Sequence, residues 1–313
     1  MKLLSYRKDG AVRIGAAEPE GIVDLTGLLI EAKAPVEDPA SMLSLIRSGI
    51  DVDAVGGGAI ARARSAGTLA ARAVTDFAWL PPIPRPPKIL AVALNFYAHV
   101  NETSEFTHYR DEPILFPKYT TNLLPHEGTI LLPPFPQRVS EELEPAVVFS
   151  RDARHIRPSE APDYVFGYTI CNDVSARDRQ RERIKMGQPY SYAKNMATFC
   201  PMGPWIVTRA ELPSLDGLRM VVRNDGVVKR EGSADGMIYN AFEVMAYCSD
   251  WTPMEAGDVI TLGTFDGEKD IAPGQTLELE IERIGVLRNR VERDPQPWPN
   301  FPTDEPTGHR IRS

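Results

Sequence analysis

An apolar segment that opens with two glutamates constrains this chain most. Residues 146–149 (Ala-Val-Val-Phe) are typical of a buried strand, and Glu142 and Glu144 stand just before them. Because residues two apart in a strand point to the same face, both carboxylates would project from the same face at the start of that strand. Adjacent carboxylates repel each other unless a positive charge lies between them. The alternative is a pair of solvated glutamates at a strand end, which is common for charged residues.

A third acidic residue, Asp173, could complete a metal site with this pair. Three carboxylates leave half of an octahedron open for water and substrate, which is how proteins usually hold Mg²⁺. The sequence therefore predicts that Glu142, Glu144 and Asp173 bind one divalent cation through oxygen ligands. Glu141 is not expected to join them, because strand alternation turns it to the other face.

A proline-rich segment divides the chain into two predicted domains. Residues 81–88 contain five prolines, which make a stiff and extended linker. We therefore expect a small N-terminal domain over residues 1–80 and a catalytic domain over residues 89–292. The last residues, 293–313, would form an extended tail.

Strand-like segments dominate the chain beyond the linker. The triplet Asn224-Asp225-Gly226 predicts a tight hairpin between two of them. The predicted fold class is α+β and β-rich, with a mixed β-sheet and a barrel-like catalytic core next to a small N-terminal α/β domain. In the tail, Trp298 and Phe301 are candidate anchors. The residues leave open whether the tail is disordered or packs over its own or a neighbouring subunit.

Composition excludes several classes of partner. The net charge is −8 and no basic block stands out, so nucleic acid is not an expected partner. No apolar run reaches the length of a membrane span, and the first residues lack the apolar region of a signal peptide. Cys171, Cys200 and Cys248 show no metal spacing and are expected to be reduced, mostly buried thiols. We therefore expect a cytoplasmic protein.

Three longer motifs follow the glutamate pair in a fixed order. They are G-Y-T-I-C-N-D-V-S-A-R-D-R-Q (167–180), K-N-M-A-T-F-C-P-M-G-P-W-I-V-T (194–208) and G-D-V-I-T-L-G-T (257–264). Together they resemble the fumarylacetoacetate hydrolase superfamily, over about residues 88–291. The resemblance implies the barrel-like core, a homodimer, and Mg²⁺ or Mn²⁺ on the three carboxylates, with Ca²⁺ able to take the same site in crystals. It also shows a departure, since Pro145 replaces the usual leucine and could disturb the local strand pairing.

The segment 95–102 (N-F-Y-A-H-V-N-E) resembles the lid motif of the same family. On a helix, His99 and Glu102 would be neighbours, because they are three residues apart. A carboxylate bonded to one ring nitrogen leaves the other free to take a proton from water. The resemblance therefore implies a catalytic pair, whereas an isolated H-x-x-E more often marks an exposed histidine. It also implies that Lys194 neutralises the substrate carboxylate or a developing enolate, although Ala197 replaces the family's aspartate nearby.

Further residues correspond to substrate-side positions of the family. Arg177 suits a carboxylate because its guanidinium bonds in a bidentate fork, although a structural salt bridge is the alternative. The family pattern T-G-T-P-x-G-V-G reads L-G-T-F-D-G-E-K here, at residues 262–269, so substrate recognition must differ from that of the commonest members. The predicted substrate-binding residues are Arg177, Gln180, Gly263, Thr264, Phe265 and Lys118. For Lys118, packing and surface roles are equally open.

The function that the resemblance implies is cleavage of a C–C bond in an acylpyruvate-type 1,3-diketo acid. Water would be activated by His99 and Glu102, and the enolate product would be held by the metal and Lys194. Oxo-acid decarboxylation and keto–enol isomerisation are alternatives at the same site. A non-catalytic protein that binds oxo acids is a third interpretation.

Overall fold

The computed structural model describes residues 1–102 and 112–298, except the side chains of His99, Asn101 and Glu102. Within these residues the strands are β1 (Lys2–Lys8), β2 (Ala11–Glu18), β3 (Gly21–Asp24), β4 (Ala78–Trp79), β5 (Ile89–Ala93), β6 (Ile114–Lys118), β7 (Leu123–Leu124), β8 (Thr129–Leu132), β9 (Val139–Ser140), β10 (Leu143–Phe149), β11 (Val165–Asn172), β12 (Ser175–Ala176), β13 (Cys200–Thr208), β14 (Arg219–Asn224), β15 (Val227–Ser233), β16 (Val259–Thr261), β17 (Thr276–Ile281) and β18 (Gly285–Arg293). The α-helices in the same part of the chain are α1 (Leu25–Glu31), α2 (Met42–Arg47), α3 (Val52–Ser65), α4 (Tyr97–Glu102), α5 (Arg177–Lys185) and α6 (Ala241–Trp251). Short 3₁₀ turns cover Leu69–Arg72, Thr120–Asn122, Ala161–Tyr164, Ser191–Lys194 and Ala234–Gly236.

The strand that carries Glu144, β10, lies inside the largest sheet. The order of this sheet is β3-β2-β1-β13-β11-β10-β16-β5-β6, and every residue of β10 is buried. Leu143 and Val147 belong to one apolar cluster, whereas Ala146 and Val148 belong to another. Because alternate residues point to opposite faces, the strand is covered on both sides, and this explains its uninterrupted apolar run.

The proline that interrupts the family pattern does not break this strand. Pro145 pairs with Ile170 on β11, and its carbonyl accepts a hydrogen bond of 2.9 Å from the N–H of Leu262. Proline lacks only the N–H, so its carbonyl still joins the ladder. The expected disturbance at Pro145 is therefore absent from the pairing of β10 with β11.

The first strands of the chain extend the same sheet. β1 and β2 form a hairpin, and Leu3 of β1 pairs with Ile206 of β13. The helices α1 to α3 cover this end, and their apolar residues share one cluster with Val148. The proline-rich segment also packs here, since the hydroxyl of Ser5 donates to the carbonyl of Pro82 at 2.7 Å. The division into two domains at residues 81–88 remains a prediction.

A second sheet has the order β15-β14-β17-β18-β8. Its hairpin turns at Asp225 and Gly226, which both have positive φ, between the paired residues Asn224 and Val227. This is the hairpin that the sequence predicts. The β-rich α+β architecture with mixed sheets is confirmed as well. All three cysteines are buried and free, as expected.

Among the described residues, no helix combines the length and the apolar character that crossing a bilayer would require.

Candidate active site

The carboxylates of Glu142, Glu144 and Asp173 lie close together at the N-terminal end of β10. All three residues are buried, and their ligand atoms lie within 4.8 Å of one another. Strand alternation supplies the first two, and the pairing of Glu144 with Cys171 brings the end of β11 beside them. The N–H of Asp173 then donates to the carbonyl of Glu142 at 3.0 Å. The structure therefore brings the three predicted metal ligands together.

This triad fits a hard divalent cation. Its donors are carboxylate oxygens, which suit Mg²⁺ and Mn²⁺. Burial, reinforced by the charges of Asp173 and Glu142, raises the pKa of Glu144 to about 8. The part of this rise in the pKa that comes from Asp173 and Glu142 reflects repulsion between neighbouring negative charges. A divalent ion held by the three residues would remove this repulsion.

Two buried lysines line the triad. Nζ of Lys194 donates to Oε2 of Glu142 and to Oδ2 of Asp173, both at 2.6 Å. Nζ of Lys118 donates to Oδ1 of Asp173 at 2.6 Å, and to the carbonyls of Lys194 and Phe199. Burial disfavours a charged amine, but the carboxylates of Asp173 and Glu142 outweigh it and raise the pKa of Lys194. Lys194 is therefore an ammonium group at neutral pH.

The two lysines differ in what surrounds them. The Lys118 side chain has no exposed surface, and its three acceptors match the three N–H donors of an ammonium group. This placement favours support of Asp173 over contact with substrate. Lys194, by contrast, lies between two carboxylates of the triad and stands at the centre of the site.

Arg177, the first residue of α5, forms hydrogen bonds and ion pairs with several residues. Its Nε donates to Oγ of Ser140 at 2.7 Å, and its Nη1 donates to Oε1 of Gln180 at 3.1 Å. Its Nη2 forms ion pairs with Glu142 and, at 3.1 Å, with Oε1 of Glu268. The two predicted substrate residues Arg177 and Gln180 are thus in contact with each other. Arg177 also holds a carboxylate of the triad.

The backbone of Gly263 ties the loop after β16 to the triad. Its N–H donates to Oε2 of Glu144 at 3.1 Å. Gly263 has a φ of +85°, and a Cβ atom there would lie 2.9 Å from Cβ of Asn95, so both backbone and space favour glycine. The side-chain amide of Asn95 donates to the carbonyl of Leu262 at 2.8 Å. This bond fastens the segment that leads into α4 next to the triad.

A buried arginine that the sequence did not single out, Arg230, organises the next part of this loop. Its Nε and Nη2 donate to the carboxylate of Glu141 at 3.0 and 2.6 Å, and Nη2 also reaches Oγ1 of Thr264 at 3.0 Å. Its guanidinium lies 4.1 Å from the ring centroid of Phe265. Glu141 therefore faces away from the triad, as alternation predicts. Because Thr264 and Phe265 are buried against Arg230, their contact with substrate stays a prediction.

One feature of the sequence could have indicated that Glu141 has a buried partner such as Arg230. A glutamate turned into the core needs a cationic or hydrogen-bonding partner, so the predicted orientation of Glu141 implied one. Its identity was not readable, because 89 residues separate Glu141 from Arg230.

The predicted catalytic pair lies on α4, whose backbone spans Tyr97–Glu102. The side chains of His99 and Glu102 lie outside the described residues. Their roles therefore stay predictions from the sequence.

Comparison with known proteins identifies the family. A family model described as "Fumarylacetoacetate (FAA) hydrolase C-terminal" matches residues 88–292, a stretch that contains the triad, both lysines and the Gly263 loop. The chain therefore belongs to the fumarylacetoacetate hydrolase family, as its motifs predict.

The relatives include enzymes named for several reactions. Human mitochondrial oxaloacetate tautomerase FAHD2A is 31% identical over 239 residues, which cover 74% of this chain and 75% of that protein. Fumarylacetoacetate hydrolase from the psychrophile Exiguobacterium antarcticum has a TM-score of 0.77 at 27% identity, over 94% of this chain and 100% of that one. A 5-carboxymethyl-2-hydroxymuconate delta-isomerase from Mycobacterium smegmatis has a TM-score of 0.71 at 28% identity, with the same coverage. The chain is thus similar to enzymes of more than one reaction type.

Proposed function

We propose that this protein is a divalent-metal-dependent hydrolase that cleaves a C–C bond of an acylpyruvate-type 1,3-diketo acid. The observation that carries the proposal is the ammonium group of Lys194, held at 2.6 Å from both Glu142 and Asp173 inside a buried triad. A cation beside a metal site can receive the negative oxygen that develops when the C–C bond of such a substrate breaks.

Each residue has a role in this proposal. Glu142, Glu144 and Asp173 would hold Mg²⁺ or Mn²⁺, which supplies Lewis-acid polarisation and a template for the oxo acid when bound. Lys194 donates to the developing oxyanion. His99, oriented by Glu102 as the motif predicts, takes a proton from the attacking water. Water adds to the distal carbonyl, the C–C bond breaks, and a carboxylic acid and pyruvate leave.

Keto–enol isomerisation is the second candidate, and the human relative named oxaloacetate tautomerase favours it. Isomerisation moves one proton between carbon and oxygen and consumes no water, whereas hydrolysis consumes one water for each bond broken. Decarboxylation of an oxo acid would use the same residues and consumes no water either. Consumption of water therefore separates hydrolysis from both alternatives.

The His99→Ala variant tests this assignment. We expect hydrolysis of acylpyruvates to fall by about 10²–10⁴-fold, the usual effect of losing a general base. Binding of Mg²⁺ and pyruvate should persist, because His99 would contact water and not the ion. Turnover of a panel of acylpyruvates and of oxaloacetate, with and without Mg²⁺, gives the rates, and calorimetry gives the binding.

The matched control is His155→Ala, which removes an exposed histidine paired with Asp250 and should leave every rate unchanged. Hydrolysis at the wild-type rate in His99→Ala would contradict the mechanism. Wild-type protein that tautomerises oxaloacetate but cleaves no acylpyruvate would instead establish the second candidate, and decarboxylation of oxaloacetate without cleavage would establish the decarboxylase alternative. Binding of oxo acids without any turnover would leave a non-catalytic protein.

The proposal includes a homodimer and a small oxo or diketo acid as the substrate. The homodimer is implied by family resemblance alone. At the end of the described chain, the ring of Trp298 contacts the ring of Phe135, with centroids 5.1 Å apart. Phe301, the second predicted anchor of the tail, lies outside the described residues.

A further inference from the structure

Glu268 brings a carboxylate to the arginine that was predicted to bind substrate. Its Oε1 lies 3.1 Å from Nη2 of Arg177, and the same nitrogen is paired with Glu142 of the triad. One guanidinium nitrogen therefore separates the carboxylate of Glu268 from a metal ligand. The Glu268 side chain is 19% exposed, so water screens this charge only in part.

The guanidinium of Arg177 already contacts several groups of the protein. Its Nε and Nη1 donate to Ser140 and Gln180, and its Nη2 is shared by two carboxylates. Burial disfavours its charge, yet Glu142 and Glu268 outweigh that effect and raise its pKa. Arg177 is thus a cation whose charge is already countered by two carboxylates of the protein.

The charges of the site give the consequence. Among the described side chains, four carboxylates (Glu142, Glu144, Asp173 and Glu268) face three cations (Lys118, Lys194 and Arg177). The nearby charges of Glu141 and Arg138 are paired with Arg230 and Asp270. Among these described side chains, a divalent ion would therefore leave one positive charge in excess. One substrate carboxylate matches this excess, and a second would lie in uncompensated negative potential.

We propose that Glu268 restricts the substrate to 2-oxo acids that carry one carboxylate and an uncharged distal group. The proposal rests on the proposed function and specifies its substrate class. Glu268 acts by countering the charge of Arg177 and by adding a negative charge to the site, which disfavours a second substrate carboxylate. Oxaloacetate, which is a dianion, should accordingly bind poorly here.

The test compares two ligands with the same five-carbon skeleton. 2-Oxopentanoate ends in a methyl group and 2-oxoglutarate ends in a second carboxylate. Titration calorimetry on the Mg²⁺-loaded protein should show about ten-fold tighter binding of 2-oxopentanoate, since one like charge at short range in a partly buried site is worth at least that factor. The Glu268→Gln variant, which keeps the shape and removes the charge, should reduce this preference about ten-fold by strengthening the binding of 2-oxoglutarate.

Two further variants separate charge from packing. Glu268→Asp keeps the charge and should keep the preference. Glu231→Gln removes an exposed carboxylate on β15 that is paired with Arg219 of β14, and it should leave the preference unchanged. Equal binding of both ligands by wild-type protein would overturn the inference even if no variant could be purified. A preference that is the same in wild type and in Glu268→Gln would overturn it as well.

Hydrolysis of acetopyruvate, measured in parallel, distinguishes this failure from failure of the proposed function. Hydrolysis with equal binding of the two ligands would leave the function in place and remove the role of Glu268. Selective binding of 2-oxopentanoate without hydrolysis would keep the role of Glu268 and remove the hydrolytic function. If the Mg²⁺-loaded protein bound neither ligand, both proposals would be wrong.

Discussion

Two adjacent glutamates at the start of β10 meet opposite surroundings. Glu141 faces Arg230 in a bidentate ion pair that also holds the loop around Thr264. Glu142 lies beside two further carboxylates and shares Lys194 with one of them, Asp173. In the first environment each charge is paired with an opposite charge of the protein. The second environment could also hold a divalent cation.

This difference separates a structural charge from a functional one. Burial raises the pKa of both Glu141 and Glu144, but Arg230 opposes the rise at Glu141, while Asp173 and Glu142 add to it at Glu144. A buried carboxylate opposed by its own arginine holds elements together. A buried carboxylate whose pKa is raised further by neighbouring carboxylates is a candidate ligand for a cation.

The largest expected effect comes from Glu144→Gln on the metal side. We expect it to abolish turnover and to lower Mg²⁺ affinity, because it removes one of three oxygen ligands. The stability of the metal-free protein should be unchanged or higher, since the variant removes one of three mutually repelling carboxylates. Calorimetry with Mg²⁺ and thermal unfolding in EDTA measure the two quantities. Full activity of metal-free wild-type protein would contradict the metal site itself.

The reverse pattern is expected for Arg230→Met on the structural side. Leaving Glu141 buried without its cation should reduce the free energy of unfolding by about 3–5 kcal/mol. Replacing both partners, as in Glu141→Leu with Arg230→Met, should recover much of this loss. Urea unfolding measures the change.

An exposed pair supplies the control for Arg230. Arg219→Met breaks the ion pair with Glu231, whose side chain is 46% exposed, and should cost no more than about 1 kcal/mol. Equal costs for Arg230→Met and Arg219→Met would show that the Glu141 pair is not structural.

Gly263 lies between the two environments, and its substitution should have a smaller effect than the loss of Arg230. In Gly263→Ala the positive φ and the contact with Asn95 should cost about 1–3 kcal/mol of stability. The hydrogen bond to Glu144 should weaken, and with it Mg²⁺ affinity. Gly57→Ala is the matched control, because Gly57 lies in α3 with no atom closer than 3.8 Å to the added Cβ. Gly57→Ala should raise the free energy of unfolding by about 0.5–1 kcal/mol. A similar gain at Gly263 would show that the loop is not constrained there.

Local patterns were sufficient to predict much of the site. Alternation and the apolar run placed Glu142 and Glu144 on one face, and the motif order added Asp173 and Lys194. Asp173 and Lys194 came from motifs that resemble the family, whereas the pair Glu142 and Glu144 needed only residues that are close in sequence. The hairpin at Asp225 and Gly226 was readable for the same reason.

Contacts between distant segments were not predictable in this way. Lys118 was assigned to substrate with packing as the alternative, but its partner Asp173 is 55 residues away. The ion pair between Arg177 and Glu268 joins a motif to a loop that was recognised only as altered. A single sequence gives no register between such segments, so the balance of buried charge emerged only with the fold.

The pairing of β1 with β13 bears on how the protein can be divided. The family match begins at residue 88, yet residues 1–24 supply three strands of the sheet that carries the triad. A chain cut at residue 88 would uncover the edge of β13 beside Ile206 and Val207, together with apolar side chains now covered by Leu3. An exposed edge of this kind recruits strands from other molecules. The smallest preparation that stays dispersed in solution should therefore begin at β1, well before the first recognisable motif.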